Sequence, residues 1–189
     1  IGQRLDFWKP EHVGCSWLPL FHDMGLIGHV LVPLLWSIPN VLLPPESFVL
    51  RPESWLEAIS GYGATISTAP NFAYQMCSQR LRDEKIAGLD LSQWTVALCG
   101  GEPVHHASLS SFVERFEPLG FRAAALCPVY GLAEFSLAMT LSSPDVAPCL
   151  DSIDRDRFAT DGVAMSAGTG SEALQLVSSG EPAPGHEIR

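Results

Sequence analysis

Trp94-Thr95-Val96-Ala97-Leu98-Cys99 runs straight into Gly100-Gly101-Glu102-Pro103. The first stretch is rich in β-formers and lacks polar alternation, which predicts a strand buried on both faces. The two glycines at its end let a flat ligand approach the backbone, because no Cβ stands in the way. Working outward, Thr65-Ile66-Ser67-Thr68 and Val41-Leu42-Leu43 are strand-like, the latter closed by Pro44-Pro45. Between them, residues 51–62 place Trp55, Ala58, Ile59 and Tyr62 at helical spacing, with Gly61 and Gly63 expected to stop the helix. A helix from Asn71 is expected to carry Phe72 and Met76 inward, and another over 107–116 carries Leu109, Phe112, Val113 and Phe116 on one stripe. A further strand over 123–127 runs into Pro128-Val129-Tyr130-Gly131-Leu132-Ala133-Glu134. This alternation predicts an α/β fold, a mostly parallel sheet with helices on both faces. Ligands in such sheets sit beyond the carboxyl ends of the strands.

Those ends hold the chemistry. Taken singly, Gly100-Gly101 is a tight turn, Tyr130 a core aromatic and Glu134 a helix cap. Taken together on adjacent strands, they describe a slot for a purine, with Tyr130 as the facing wall. Glu134 then supplies a carboxylate able to hold Mg²⁺ beside phosphates. His22-Asp23 invites an acid/base reading, but spacing alone favours Asp23 as a helix cap with His22 satisfied in the turn. No GxSxG elbow or GxxxxGK[ST] loop occurs, and residues 167–171 form a glycine-rich loop without a following lysine.

Composition narrows the function classes. Lys+Arg number 11 against Asp+Glu 21, a formal charge of −10 that argues against nucleic acid or anionic lipid as partner. The lysines are Lys9 and Lys85 alone, few for an enzyme that handles polyphosphate. Five widely spaced cysteines without a CxxC pair read as reduced residues, four of them in the core. Residues 1–10 lack the apolar run of a secretion signal, and the most apolar stretch, 24–36, is too short for a membrane span and interrupted by His29. These features predict a cytoplasmic protein. Residues 142–171 show little periodicity and predict an extended loop or insertion, after which 174–177 return to strand character.

The succession SWLPLFHDMGLIG (16–28), TAPNFAY (68–74), LDLSQW (89–94), CGGEPV (99–104) and PVYGLAE (128–134) resembles the adenylate-forming ligase superfamily, and within it the fatty acyl-AMP ligases. SSGEPAPGHEIR (178–189) is similar to the stretch before their hinge. The resemblance implies that Gly100, Gly101, Glu102 and Pro103 form one wall of the adenine slot. It implies Tyr130, with Gly131, Leu132 and Ala133, on the other side, and Glu134 as the Mg²⁺ ligand. Ala133 stands where many superfamily members have Thr, so a hydroxyl contact to phosphate is absent. His22 and Asp23 match the motif bordering the acyl tunnel, and Phe72, Ala73 and Tyr74 the helix start beside it.

The implied activity uses ATP and Mg²⁺ to convert a fatty acid to acyl-AMP, with transfer to an acyl carrier protein or a polyketide synthase carrier domain. An acyl-CoA ligase and a non-catalytic nucleotide-binding relic are the alternatives. The family's phosphate loop lies upstream of these motifs, and its ribose-binding Asp, hinge and catalytic Lys downstream. The expected organisation is an acyl- and adenine-binding unit over 1–141, an insertion-like segment over 142–173 and a returning strand over 174–189, incompetent alone for turnover.

Overall fold

The computed structural model describes residues 2, 5, 11–168 and 172–188. Most of the leader reading at 1–10, including Lys9, and residues 169–171 of the glycine-rich run lie outside them. In chain order the elements begin with β1 (Gly14–Ser16), α1 (Asp23–Leu26), a π-helical turn (Ile27–Leu31), α2 (Val32–Trp36), β2 (Asn40–Leu42) and α3 (Pro45–Leu50). There follow α4 (Glu53–Tyr62), β3 (Ile66–Ala69), α5 (Asn71–Arg80), α6 (Asp83–Ile86), β4 (Val96–Cys99), α7 (His106–Phe116) and β5 (Leu126–Gly131). The chain continues through β6 (Ala138–Leu141), β7 (Leu150–Asp154), α8 (Arg155–Asp161), β8 (Ala173–Val177) and β9 (Glu181–Pro182).

The main sheet has the order β2-β1-β3-β4-β5-β6-β9. Its first five strands are parallel, with Cys15 opposite Val41, Ser67 opposite Ala97 and Leu98 opposite Cys127. β6 and β9 are antiparallel additions on the β5 side. Strand alternation divides the sheet into two faces. Ala69, Ala97, Cys99 and Leu126 join a large core with α4, α5 and α7. Ile66, Val96, Leu98 and Cys127 face the opposite way, towards a smaller core that includes Leu141 and against which Val32 and Ile38 pack.

The large core is aromatic. Trp55 meets Tyr74 edge-on at 5.5 Å and Trp94 at 5.2 Å, while Phe112 meets Tyr74 at 5.1 Å. Their polar tips find partners, as burial requires: Trp55 Nε1 donates to Ser67 Oγ (2.8 Å), Trp94 Nε1 to the Val96 carbonyl (3.0 Å) and Tyr74 Oη to the Leu98 carbonyl (2.9 Å). Cys15, Cys77, Cys99 and Cys127 are buried free thiols, and Cys149 is exposed. Burial pushes Cys15 and Cys127 up to about 12, so they stay protonated.

Four local expectations are corrected. The fourth parallel strand is not 123–127: Ala123–Ala125 form a 3₁₀ turn, and β5 continues past Pro128 to Gly131. Pro128 cannot donate, but its carbonyl accepts from Ser142 N at 3.1 Å, so the ladder proceeds through it. Pro45 starts a helix instead of merely ending a strand, its fixed φ suiting the first helical position. The inward residues of α5 include Ala73, Tyr74 and Cys77; Phe72 is 40% exposed. Residues 142–171 are not loop throughout. Asp154 caps α8 by accepting from Arg157 N at 2.9 Å, and β7 pairs with β8 in a separate two-stranded antiparallel sheet.

Candidate active site

α1, the π turn and α2 form one helical run that connects the parallel neighbours β1 and β2. It therefore descends from the carboxyl edge of the sheet towards the amino edge. His22 is its cap: Nδ1 accepts from Met24 N at 3.2 Å, and Asp23 is the first helical residue. The roles foreseen for this pair are thus exchanged. With Nδ1 accepting, the neutral ring carries its proton on Nε2.

Lower down, Pro33 has no N–H to give the carbonyl four residues earlier, which belongs to His29. That carbonyl is taken instead by Asn40 Nδ2 at 2.5 Å, and the helix widens to the π form across Ile27–Leu31.

Between this helix and the sheet lies a cavity of about 220 Å³. Ile66, Thr68, Leu98 and Val129 form its floor, and Met24, Gly28 and His29 its helical wall. Leu137, Ala138 and Leu141 close the far side. His22, Asp23, Gly101, Gly131, Leu132 and Ala133 also line it, from the last residue of β5 and the segments following β1, β4 and β5. Six anticipated residues therefore converge on one space.

The glycine turn is required by the packing. A Cβ on Gly100 would stand 2.5 Å from the Val129 carbonyl oxygen. Gly101 has φ +80°, and a Cβ there would stand 2.8 Å from Met24 Cε. Beyond it, Glu102 Oε1 accepts from Phe72 N at 2.6 Å, tying the glycine turn to the start of α5, where Pro70 offers no side-chain cap. Asn71 adds a second tie: its Oδ1 accepts from His105 N (3.0 Å) and its Nδ2 donates to Ser108 Oγ (3.2 Å). The sequence marks Asn71 as a helix start, and the structure adds these bonds to the segment after the glycine turn.

Tyr130 lies within β5, between Val129 and Gly131, which line the cavity. Alternation turns its ring to the other side, where it is 53% exposed. Cys99 pairs with Pro128, so Gly101 and Tyr130 each stand two residues past a paired position. Gly100, Glu102 and Pro103 do not line the cavity, and Glu134 is exposed on the 3₁₀ turn Ala133–Phe135.

Phe72 does not line the cavity; its half-exposed ring stands edge-on to Trp17 at 6.1 Å, on the side of the aromatic core. Ala73 and Tyr74 are fully buried in the aromatic core and do not line this cavity. Their place is to hold α5 against β4.

In the sequence His29 only interrupts an apolar stretch. It is 3% exposed, and burial lowers its pKa to about 4, partly opposed by the Asn40 side chain. Its Nε2 is buried and makes no hydrogen bond among the described residues. An unpaired buried polar atom costs about 1–3 kcal/mol.

The profile of the AMP-binding enzyme family matches residues 2–169. The chain belongs to the AMP-binding enzyme family. It is 43% identical over 139 residues to the medium-chain fatty acid–acyl-carrier-protein ligase TtuA of Teredinibacter turnerae, covering 74% of this chain and 22% of that protein. It is 38% identical over 169 residues to the long-chain-fatty-acid–AMP ligase FadD26 of Mycobacterium marinum, covering 89% of this chain and 29% of that protein. A crystal structure of the fatty acyl-adenylate ligase from L. pneumophila, in complex with acyl adenylate and pyrophosphate, superposes with a TM-score of 0.88 at 40% identity. That likeness covers 95% of this chain and 33% of the other. The chain thus spans between a fifth and a third of the length of these AMP-binding relatives. Among the described residues no helix is long and apolar enough to cross a membrane.

Proposed function

We propose that this chain holds the acyl and adenine sites of an ATP-dependent ligase that activates a fatty acid as acyl-AMP and passes it to an acyl-carrier-protein thiol. One observation carries the reading: an apolar cavity runs down one face of the sheet and opens beside the Gly100-Gly101 turn and the 3₁₀ turn bearing Glu134. An alkyl chain fits the cavity's walls, and its carboxylate then emerges where His22, Asp23 and Gly101 stand.

The adenine lies along Gly100–Pro103 with Tyr130 across it, on the side of β5 away from the alkyl chain. This puts base and acyl group on different sides of one strand end, with the phosphates at the edge between them. The carboxylate oxygen forms a bond to the α-phosphorus as the bond to pyrophosphate breaks. The protein contributes chiefly by fixing that line of attack.

Glu134 is one exposed carboxylate, and no cluster of potential metal-binding groups occurs among the described residues. A lone hard oxygen donor suits Mg²⁺, which is commonly held by one or two carboxylates together with substrate phosphates. When bound there, Mg²⁺ supplies charge neutralisation at the transferring phosphate. His22 Nε2–H is a donor at the mouth, fit to orient the acyl carboxylate and not to remove a proton.

The β7–α8–β8 unit leaves Val163 and Met165 about half exposed beside it. Covered by the rest of the enzyme, such a surface restrains domain rotation and favours release of acyl-AMP over formation of acyl-CoA. The test is mass-spectrometric product analysis of the full-length enzyme with ATP and acids of several lengths, with and without CoA. Acyl-AMP as the sole product is expected. Efficient acyl-CoA formation overturns the output assigned here, and the absence of any adenylate overturns the reading as a whole. Deleting residues 144–170, of which 169 and 170 lie outside the described residues, is expected to raise CoA use.

A further inference from the structure

His29 has no task in the scheme above, yet it is held with care. Its carbonyl is fixed by Asn40, and it sits in the π-helical turn Ile27–Leu31 just before Pro33. The ring shares the cavity with the apolar Ile66, Leu98, Val129, Leu137 and Leu141, while the polar lining groups Thr68, His22 and Asp23 stand towards the carboxyl edge. A histidine in such a wall is costly unless its nitrogens find a partner, and among the described residues Nε2 finds none.

Depth locates the missing partner. His29 is seven residues after His22 on a helix that descends from the carboxyl edge, so it stands about 10 Å below the mouth at 1.5 Å per residue. Near this depth Ile66 opens β3, and Asn40, which binds the His29 carbonyl, opens β2. A ligand whose carboxylate lies at the mouth therefore brings the distal part of its chain to His29.

The chemistry of the ring selects among ligand groups. Burial keeps the imidazole neutral at physiological pH, and a neutral imidazole offers one donor and one acceptor. At this distal end, away from Asp23 at the mouth, a neutral ring among apolar neighbours disfavours a second carboxylate or an ammonium. It matches a hydroxyl, which both donates and accepts, or a keto oxygen.

We propose that the cavity is built for an acyl chain bearing a hydroxyl or keto oxygen in its distal part, and that His29 is the specificity-determining residue that hydrogen-bonds it. This rests on the cavity being the acyl site. A plain alkyl chain fills the same space but leaves the nitrogen unpaired, which is the basis of discrimination.

The experiment uses the full-length enzyme and matched pairs of acids, each an alkanoic acid and its distally hydroxylated counterpart of equal length. kcat/KM for adenylation is measured for each pair in wild type and in His29→Phe, and the affinity of each acid is measured by calorimetry. Wild type is expected to favour the hydroxylated acid by about tenfold, and His29→Phe to erase or reverse that preference. Should His29→Phe fail to fold, His29→Gln, which keeps donor and acceptor, retains part of the preference. Equal kcat/KM and equal affinity for both members of every pair in wild type overturn the proposal and assign a trapped water to Nε2. A preference that survives His29→Phe undiminished also overturns it. Absence of adenylate from every acid overturns the enzymatic reading, while calorimetry still decides the hydroxyl preference separately.

Discussion

The two faces of the sheet are built from alternate residues of the same strands and end up as opposites. On one, Ala69, Ala97, Cys99 and Leu126 meet α4, α5 and α7 in a filled aromatic core. There Trp55, Tyr74 and Trp94 have their polar tips bonded, and Trp17 Nε1 is the exception. On the other, Ile66, Leu98 and Val129 look into a cavity whose wall includes a buried histidine with a nitrogen that is unpaired among the described residues. The strands cannot distinguish the faces by hydrophobicity, since both sides of β4 are apolar. The difference comes from what covers them. Large rings at helical spacing fill one side. On the other, Gly28 stands in the helical wall and the π turn holds the helix in a different path.

The first way to break this contrast is to hollow the filled face. Trp55→Ala removes a fully buried ring and the donor to Ser67 Oγ, which keeps its own bond to the Cys15 carbonyl. It should cost about 3–5 kcal/mol in denaturant unfolding. A loss below 1 kcal/mol would mean that the core is not the stabilising half.

The second probe reads the hollow face through pH. His29 has a folded pKa of about 4 against about 6.5 when exposed. Between these values only the unfolded chain takes up the proton. Its contribution to stability is therefore intact above about pH 6.5 and lost as pH falls towards 4, a change on the order of 3 kcal/mol. His29→Phe should flatten that part of the stability profile, and an identical profile would show that the ring is solvated.

Glu134→Gln acts at the edge between the faces. In the full-length enzyme it should cut turnover by about a hundredfold, on the order of 2.7 kcal/mol, with unfolding midpoint unchanged. Undiminished turnover at saturating Mg²⁺ would leave Glu134 a surface residue. The smallest effect is expected from Glu102→Ala, which removes the acceptor for Phe72 N. About 1 kcal/mol of stability should go, accompanied by a higher KM for ATP as the glycine turn loosens. A change in KM for the fatty acid instead would place Glu102 on the wrong face.

Much of this was legible in the sequence. The apolar run before Gly100-Gly101 and the helical spacing of Leu109, Phe112 and Phe116 each predict their element, and the parallel sheet follows from the β-α alternation. The failures have physical causes. Pro128 signals a strand end by its missing donor, but only the carbonyl was needed there. Phe72 shares its helix with Tyr74, and periodicity over so short a span does not fix which of the two faces inward. Residues 142–171 have too few apolar positions to show a period, yet the Asp154 cap and the β7–β8 ladder organise part of them through hydrogen bonds. His29 and Asn40 are far apart in sequence, and their pairing depends on Pro33 freeing a carbonyl.

The most direct test of the central contrast is a crystal structure of the full-length enzyme with a non-hydrolysable acyl-adenylate analogue. The account predicts the acyl chain between the Asp23–Trp36 helical run and the floor formed by Ile66, Leu98 and Val129, with the adenine along Gly100–Pro103 against Tyr130. An acyl chain lodged instead on the side of α5 and α7, or an adenine in the apolar cavity, would contradict it.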